Sequence, residues 1–106
     1  MPMQYIPGTD LPLSESETRW SPYGAVLMNH RGTTTLWPEA GTKLYELGLI
    51  TDKGDLTNKG WNAYITIAVS MKLERHTAAD DYITKIPPER FKLVETADER
   101  LVENPA

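Results

Sequence analysis

Cysteine is absent from all 106 residues. That removes disulfide staples, thiolate zinc sites and cysteine nucleophiles together, and points to a reducing compartment, with the cytoplasm as the expected location. Basic side chains are also scarce, with 11 Lys and Arg against 15 Asp and Glu, a net charge of −4 and a pI near 5.1. No general cationic surface advertises nucleic acid or anionic membrane, so any polyanion site must be local. Apolar runs fall short of the roughly 18 residues of a membrane span, and the opening MPMQYIPGTD lacks the basic start and apolar centre of a signal peptide. No membrane partner is expected.

Catalytic groupings are missing as well. The glycines form neither G-x-G-x-x-G nor a phosphate-binding loop, and the serines have no glycine elbow or basic partner. His76, Asp80 and Asp81 are the best metal-like group, short of the three or four converging ligands that a site needs. The expectation is therefore no enzyme, no metal and no cofactor. A chain this small also leaves little margin for a deep internal cavity.

The elements that are present read as mainly α with a small β-hairpin in a single domain. Residues 1–14, with Pro2, Pro7 and Pro12, read as an extended arm, 15–95 as the globular domain and 96–106 as an acidic C-terminal segment. Ser21-Pro22 predicts a helix start, since serine caps free amides and proline is tolerated in the first turn, and the helix runs to His30. Thr33–Trp37 is β-branched and predicts a brief strand. A second helix follows from Pro38, with Leu44, Tyr45 and Leu47 as its apolar stripe, Glu39 in the first turn and Gly48 as the left-handed stop. Residues 49–56 predict a tight hairpin or simple turn around Asp52-Lys53-Gly54-Asp55.

Thr57 then stands where a cap belongs, with Trp61, Tyr64, Ile65 and Ala68 at helical spacing. Ile65, Ile67, Val69, Met71 and Leu73 also alternate, so an α+β alternative makes 62–74 a strand; the cap and the length of the stretch favour helix. Tyr82–Ile86 and Phe91–Glu95 read as short strands or loops, and Thr96 as the cap of a last turn through Val102. No internal repeat is evident.

The residues Leu44-Tyr45-Glu46-Leu47-Gly48-Leu49-Ile50-Thr51, followed by Gly54-Asp55-Leu56-Thr57-Asn58-Lys59-Gly60, resemble winged helix-turn-helix regulators of the MarR and PadR type. The resemblance covers residues 44–60 and implies a winged-helix-like core, with Pro22–His30 as supporting helix and Pro38–Leu47 as recognition helix. It implies double-stranded DNA as partner and transcription regulation as function. Lys43 would then enter the groove, and Arg31, Thr33, Thr34, Thr35, Lys53 and Lys59 would contact phosphates, with a homodimer doubling the number of cations.

The competing expectation is an acidic protein-interaction module, of the accessory, inhibitor or assembly kind that phages encode. Residues after Arg75 hold seven acids against four bases. Glu95, Asp98, Glu99 and Glu103 suit a basic partner surface, and Trp37, a loop tryptophan beside a rigid proline, suits a protein-contact anchor.

Overall fold

The computed structural model describes residues 4–16, 19–30 and 32–90. They are mainly helical, with one two-stranded antiparallel hairpin. In order these are β1 (Ser14–Ser16), β2 (Arg19–Trp20), α1 (Pro22–Asn29), α2 (Thr33–Leu36), α3 (Pro38–Glu46), α4 (Asn58–Leu73) and α5 (Ala79–Thr84), then a 3-10 turn at Pro88–Arg90. By its internal contacts the chain divides into two units, Met1–Ala63 and Tyr64–Ala106, and the division falls inside α4.

In the first unit, Ser21 sets the start of α1. Its Oγ accepts from the Gly24 amide at 3.1 Å and donates to the Pro12 carbonyl, while Pro22 occupies the first turn. The stretch read as an arm folds back on itself, with Tyr5 bridging Pro12 and with Ile6, Leu11 and Leu13 buried. Helix α1 packs against α2 and α3 and contributes Ala25 to Met28 to the core.

Thr33–Leu36 is a turn of helix, not the expected strand. Gly32 takes a left-handed conformation (φ 82°), and the Thr33 amide bonds the His30 carbonyl and the Trp37 amide the Thr33 carbonyl. These local bonds override the weak β preference of threonine. Trp37 (φ −130°, ψ 73°) lies outside the helical region, which a following proline disfavours, and α3 starts at Pro38. Leu44 is buried with Ala40 and Gly41, whereas Tyr45 is exposed and does not belong to the apolar stripe. Gly48 (φ 77°) ends the helix as expected.

Of the two forms expected for residues 49–56, the structure has the simple turn, with a single antiparallel bridge, Ile50 to Leu56, backed by the Thr51 amide on the Asp55 carbonyl at 2.7 Å. The two-stranded hairpin is β1–β2, where Ser14 pairs with Trp20, a place the sequence does not mark as strand.

These two turns correct a second expectation, because the chain does repeat an arrangement, at a spacing of 36 residues from Ser21 to Thr57. Each hydroxyl donates to the carbonyl nine residues earlier, Pro12 or Gly48, and accepts from the amide three residues later, Gly24 or Gly60. The Ser21 and Thr57 amides bond the Leu13 and Leu49 carbonyls, at 3.2 and 3.1 Å. The Ser14–Trp20 pair and the Ile50–Leu56 bridge match at the same spacing. Both copies are thus a bridged turn locked to the first turn of the helix that follows.

Residues 62–74 fall in helix, since α4 runs unbroken to Leu73. Ile65, Ile67 and Val69 alternate in sequence yet are all buried, together with Tyr64 and Ala68, so burial extends over a broad arc and not a narrow stripe. Helix α4 ends with Arg75 in a left-handed conformation (φ 61°), which lets the His76 amide reach the Met71 carbonyl at 2.9 Å.

In the second unit, Tyr82–Ile86 is largely helix α5, not a strand. The Tyr64 hydroxyl donates to the Tyr82 carbonyl at 2.7 Å, and the two rings meet edge to face. Burial, reinforced by the neighbouring Tyr82, raises the Tyr64 pKa well above the ordinary phenol value. The readings for Phe91–Glu95 and for a helix capped by Thr96 lie outside the described residues.

Candidate functional site

The residues that the resemblance implicates lie around α2, α3 and the 49–56 turn. Thr34 links the three: a Cβ on Gly41 would lie 3.3 Å from its methyl group, and one on Gly54 would lie 3.4 Å from its hydroxyl oxygen. Its side chain is therefore a packing element between α3 and the turn. Thr35, Lys43 and Lys53 are exposed and Thr33 is half-buried. The Lys59 ammonium donates to the Leu47 carbonyl at 3.0 Å, so its charge satisfies the C-terminal end of α3. Arg31 lies outside the described residues, as do Glu95, Asp98, Glu99 and Glu103.

Charge on this surface does not favour phosphate. The exposed charged residues of α3 are Glu39, Lys43 and Glu46, and the turn carries Asp52, Lys53 and Asp55, two acids to one base in each case. A helix entering a DNA groove needs the opposite balance.

Two large apolar residues are exposed side by side next to it. At the junction of α2 and α3, Leu36 is 72% exposed and Trp37 is 39% exposed. Trp37 also lines an open cleft of about 410 Å³ whose other walls are Glu15, Arg19, Trp20, Pro22, Ala25, Asn29 and Thr33. The hairpin and α1 supply most of this wall, and the small side chain of Ala25 leaves the space open. Arg19 Nε lies 3.5 Å from the Glu15 carboxylate across the hairpin. Asn29 donates its amide to the Ala25 carbonyl at 3.1 Å, which fixes the side chain in place.

Of the cleft residues, the sequence marks Trp37 as the exposed tryptophan, Arg19 and Thr33 as candidate phosphate contacts and Asn29 as a marginal further one. It does not single out Glu15, Pro22 or Ala25 as site residues. These come from β1 and α1, and only the fold brings them beside Trp37. Trp20 is half-buried, and Trp61, also half-buried, presents its ring at 6.1 Å to His30.

His76 and Asp80 do not share a helix face. His76 precedes α5 and lies 3.2 Å from the Glu74 carboxylate, and no group of three or more His, Asp or Glu positioned to hold a metal occurs among the described residues. Among those residues, too, no helix is long and apolar enough to cross a membrane. No family model, curated protein or solved structure matches the chain.

Proposed function

We propose that this chain is a non-enzymatic protein-interaction module on a winged-helix-like framework, with its contact surface centred on Leu36 and Trp37. The carrying observation is the exposure of these two adjacent large apolar residues, of which Trp37 also lines the cleft. Isolated exposed apolar residues are ordinary on a surface, but a leucine and a tryptophan side by side next to a concavity form the anchor that protein contacts use. The acid-rich faces of α3 and the 49–56 turn suit a basic partner. The test is binding of the partner recovered from the source cells to wild type and to Trp37→Ala. Loss of most of the affinity in the variant supports the reading, and an unchanged complex contradicts it.

A second reading keeps the DNA-binding regulator. It is favoured by the element order, in which α1, α2 and α3 are followed by a bridged turn and a long helix, with Lys43 and Lys53 exposed. A homodimer would double those cations. A mobility shift on genomic duplex fragments at about 50 mM salt, steeply weakened by added salt and by Lys43→Glu, would support this reading, and no shift would exclude it.

A further inference from the structure

Arg19 is among the residues that line the cleft beside Trp37, and its Nε approaches the Glu15 carboxylate at 3.5 Å across the β1–β2 hairpin. That pair is held loosely. The arginine side chain is 77% exposed and the carboxylate side chain 48%, and the contact is longer than a charge-assisted hydrogen bond. A guanidinium supplied from outside would meet the same carboxylate and find further acceptors in the Asn29 amide oxygen and the Thr33 hydroxyl. Trp20 and Trp37 also line the cleft, and an indole ring is a surface on which a planar cation can stack.

Long-range charge favours the same class of partner. Residues 1–63 carry seven acids against five bases, and α3 and the 49–56 turn each present two acids to one base. A negative balance of this kind draws basic segments towards this unit and raises their association rate.

We propose that the Trp20–Trp37 cleft docks an arginine-bearing basic segment of a protein partner, whose guanidinium replaces that of Arg19 on Glu15 and lies against Trp37. Arg19 is then an internal competitor for the Glu15 carboxylate. The inference rests on the protein-interaction reading and narrows it to one chemistry. Lysine carries the same charge but lacks the planar fork, so the site distinguishes the two.

The test uses the full chain with two blocked peptides of equal charge, acetyl-(Gly-Arg)3-amide and acetyl-(Gly-Lys)3-amide, followed by tryptophan emission and by the amide and indole resonances of Asn29, Thr33 and Trp37. The arginine peptide should shift those resonances saturably and bind about fivefold more tightly than the lysine peptide. Glu15→Gln and Trp37→Ala should each weaken it by about fivefold, and Arg19→Ala should strengthen it by about threefold. Equal binding of both peptides, no saturable shift at these residues, or wild-type affinity in Glu15→Gln overturns the proposal. Should a partner protein bind wild type and Glu15→Gln equally while losing Trp37→Ala, the arginine site fails and the protein-contact surface stands.

Discussion

Gly24 and Gly60 stand in the same relation to the backbone of the preceding turn. A Cβ on Gly24 would lie 2.0 Å from the Leu13 carbonyl oxygen, and one on Gly60 would lie 1.9 Å from that of Leu49. Neither glycine is there for a left-handed conformation; each is there because a helix's first turn is pressed onto a backbone carbonyl. Gly24→Ala and Gly60→Ala should each cost on the order of 3 kcal/mol or more, since backbone must move to admit the methyl group. Thermal unfolding should show this as a fall of well over ten degrees for either variant, taking roughly 4–8 °C per kcal/mol at this size.

The hydroxyls that close the same two junctions differ in burial. Ser21 is 1% exposed and Thr57 half-buried. Ser21→Ala would strand the Pro12 carbonyl and the Gly24 amide where water has little access, and should cost about 2 kcal/mol. Thr57→Ala should cost about 1 kcal/mol, because water can replace part of what is lost. Urea midpoints of the two variants check the order.

Tyr64 links stability to alkaline pH. Its folded-state pKa is raised, first by burial and then by the neighbouring Tyr82, so the folded protein keeps a proton that the unfolded chain releases near the ordinary phenol value of about 10. The stabilising contribution is complete below that pH and is lost as pH rises from there towards the raised folded-state value. Tyr64→Phe should remove this loss, and should cost about 1–2 kcal/mol at neutral pH by leaving the Tyr82 carbonyl without its 2.7 Å donor. Urea unfolding of wild type and variant between about pH 8 and 11 separates the two effects.

Arg75 is a non-glycine residue in the left-handed region (φ 61°), at the position after α4 where glycine is the usual occupant. Arg75→Gly removes the Cβ crowding and should raise stability by up to about 1 kcal/mol, visible as a higher unfolding midpoint.

Much of this architecture was readable where local chemistry is strong. Ser21-Pro22, Pro38, Gly48 and Thr57 mark helix ends through caps, a fixed φ and a left-handed stop, and each does so in the structure. Helix α4 was ambiguous for a physical reason: an arc of burial wide enough to take Ile65, Ile67 and Val69 produces strand-like alternation within a helix. Thr33–Leu36 misled because threonine's β preference is weak beside the turn imposed at Gly32 and the proline after Trp37. The hairpin at Ser14–Trp20 was missed because Ser-Glu-Ser has no alternating apolar face to announce a strand.

The repeat is faint in the sequence because only leucine, hydroxyl and glycine positions carry it, scattered through otherwise different residues. The cleft was hidden for another reason. Glu15, Asn29 and Trp37 acquire a common meaning only after the hairpin, α1 and the α2–α3 junction have been folded around Ala25.

The contact surface at Leu36 and Trp37 is tested most directly by photo-crosslinking from position 36 in the source cells, with exposed Asp10 as the control position. The account predicts one discrete protein adduct from position 36, absent when Trp37→Ala is combined with it and absent from position 10. No adduct from position 36, or an adduct to DNA in its place, would contradict it.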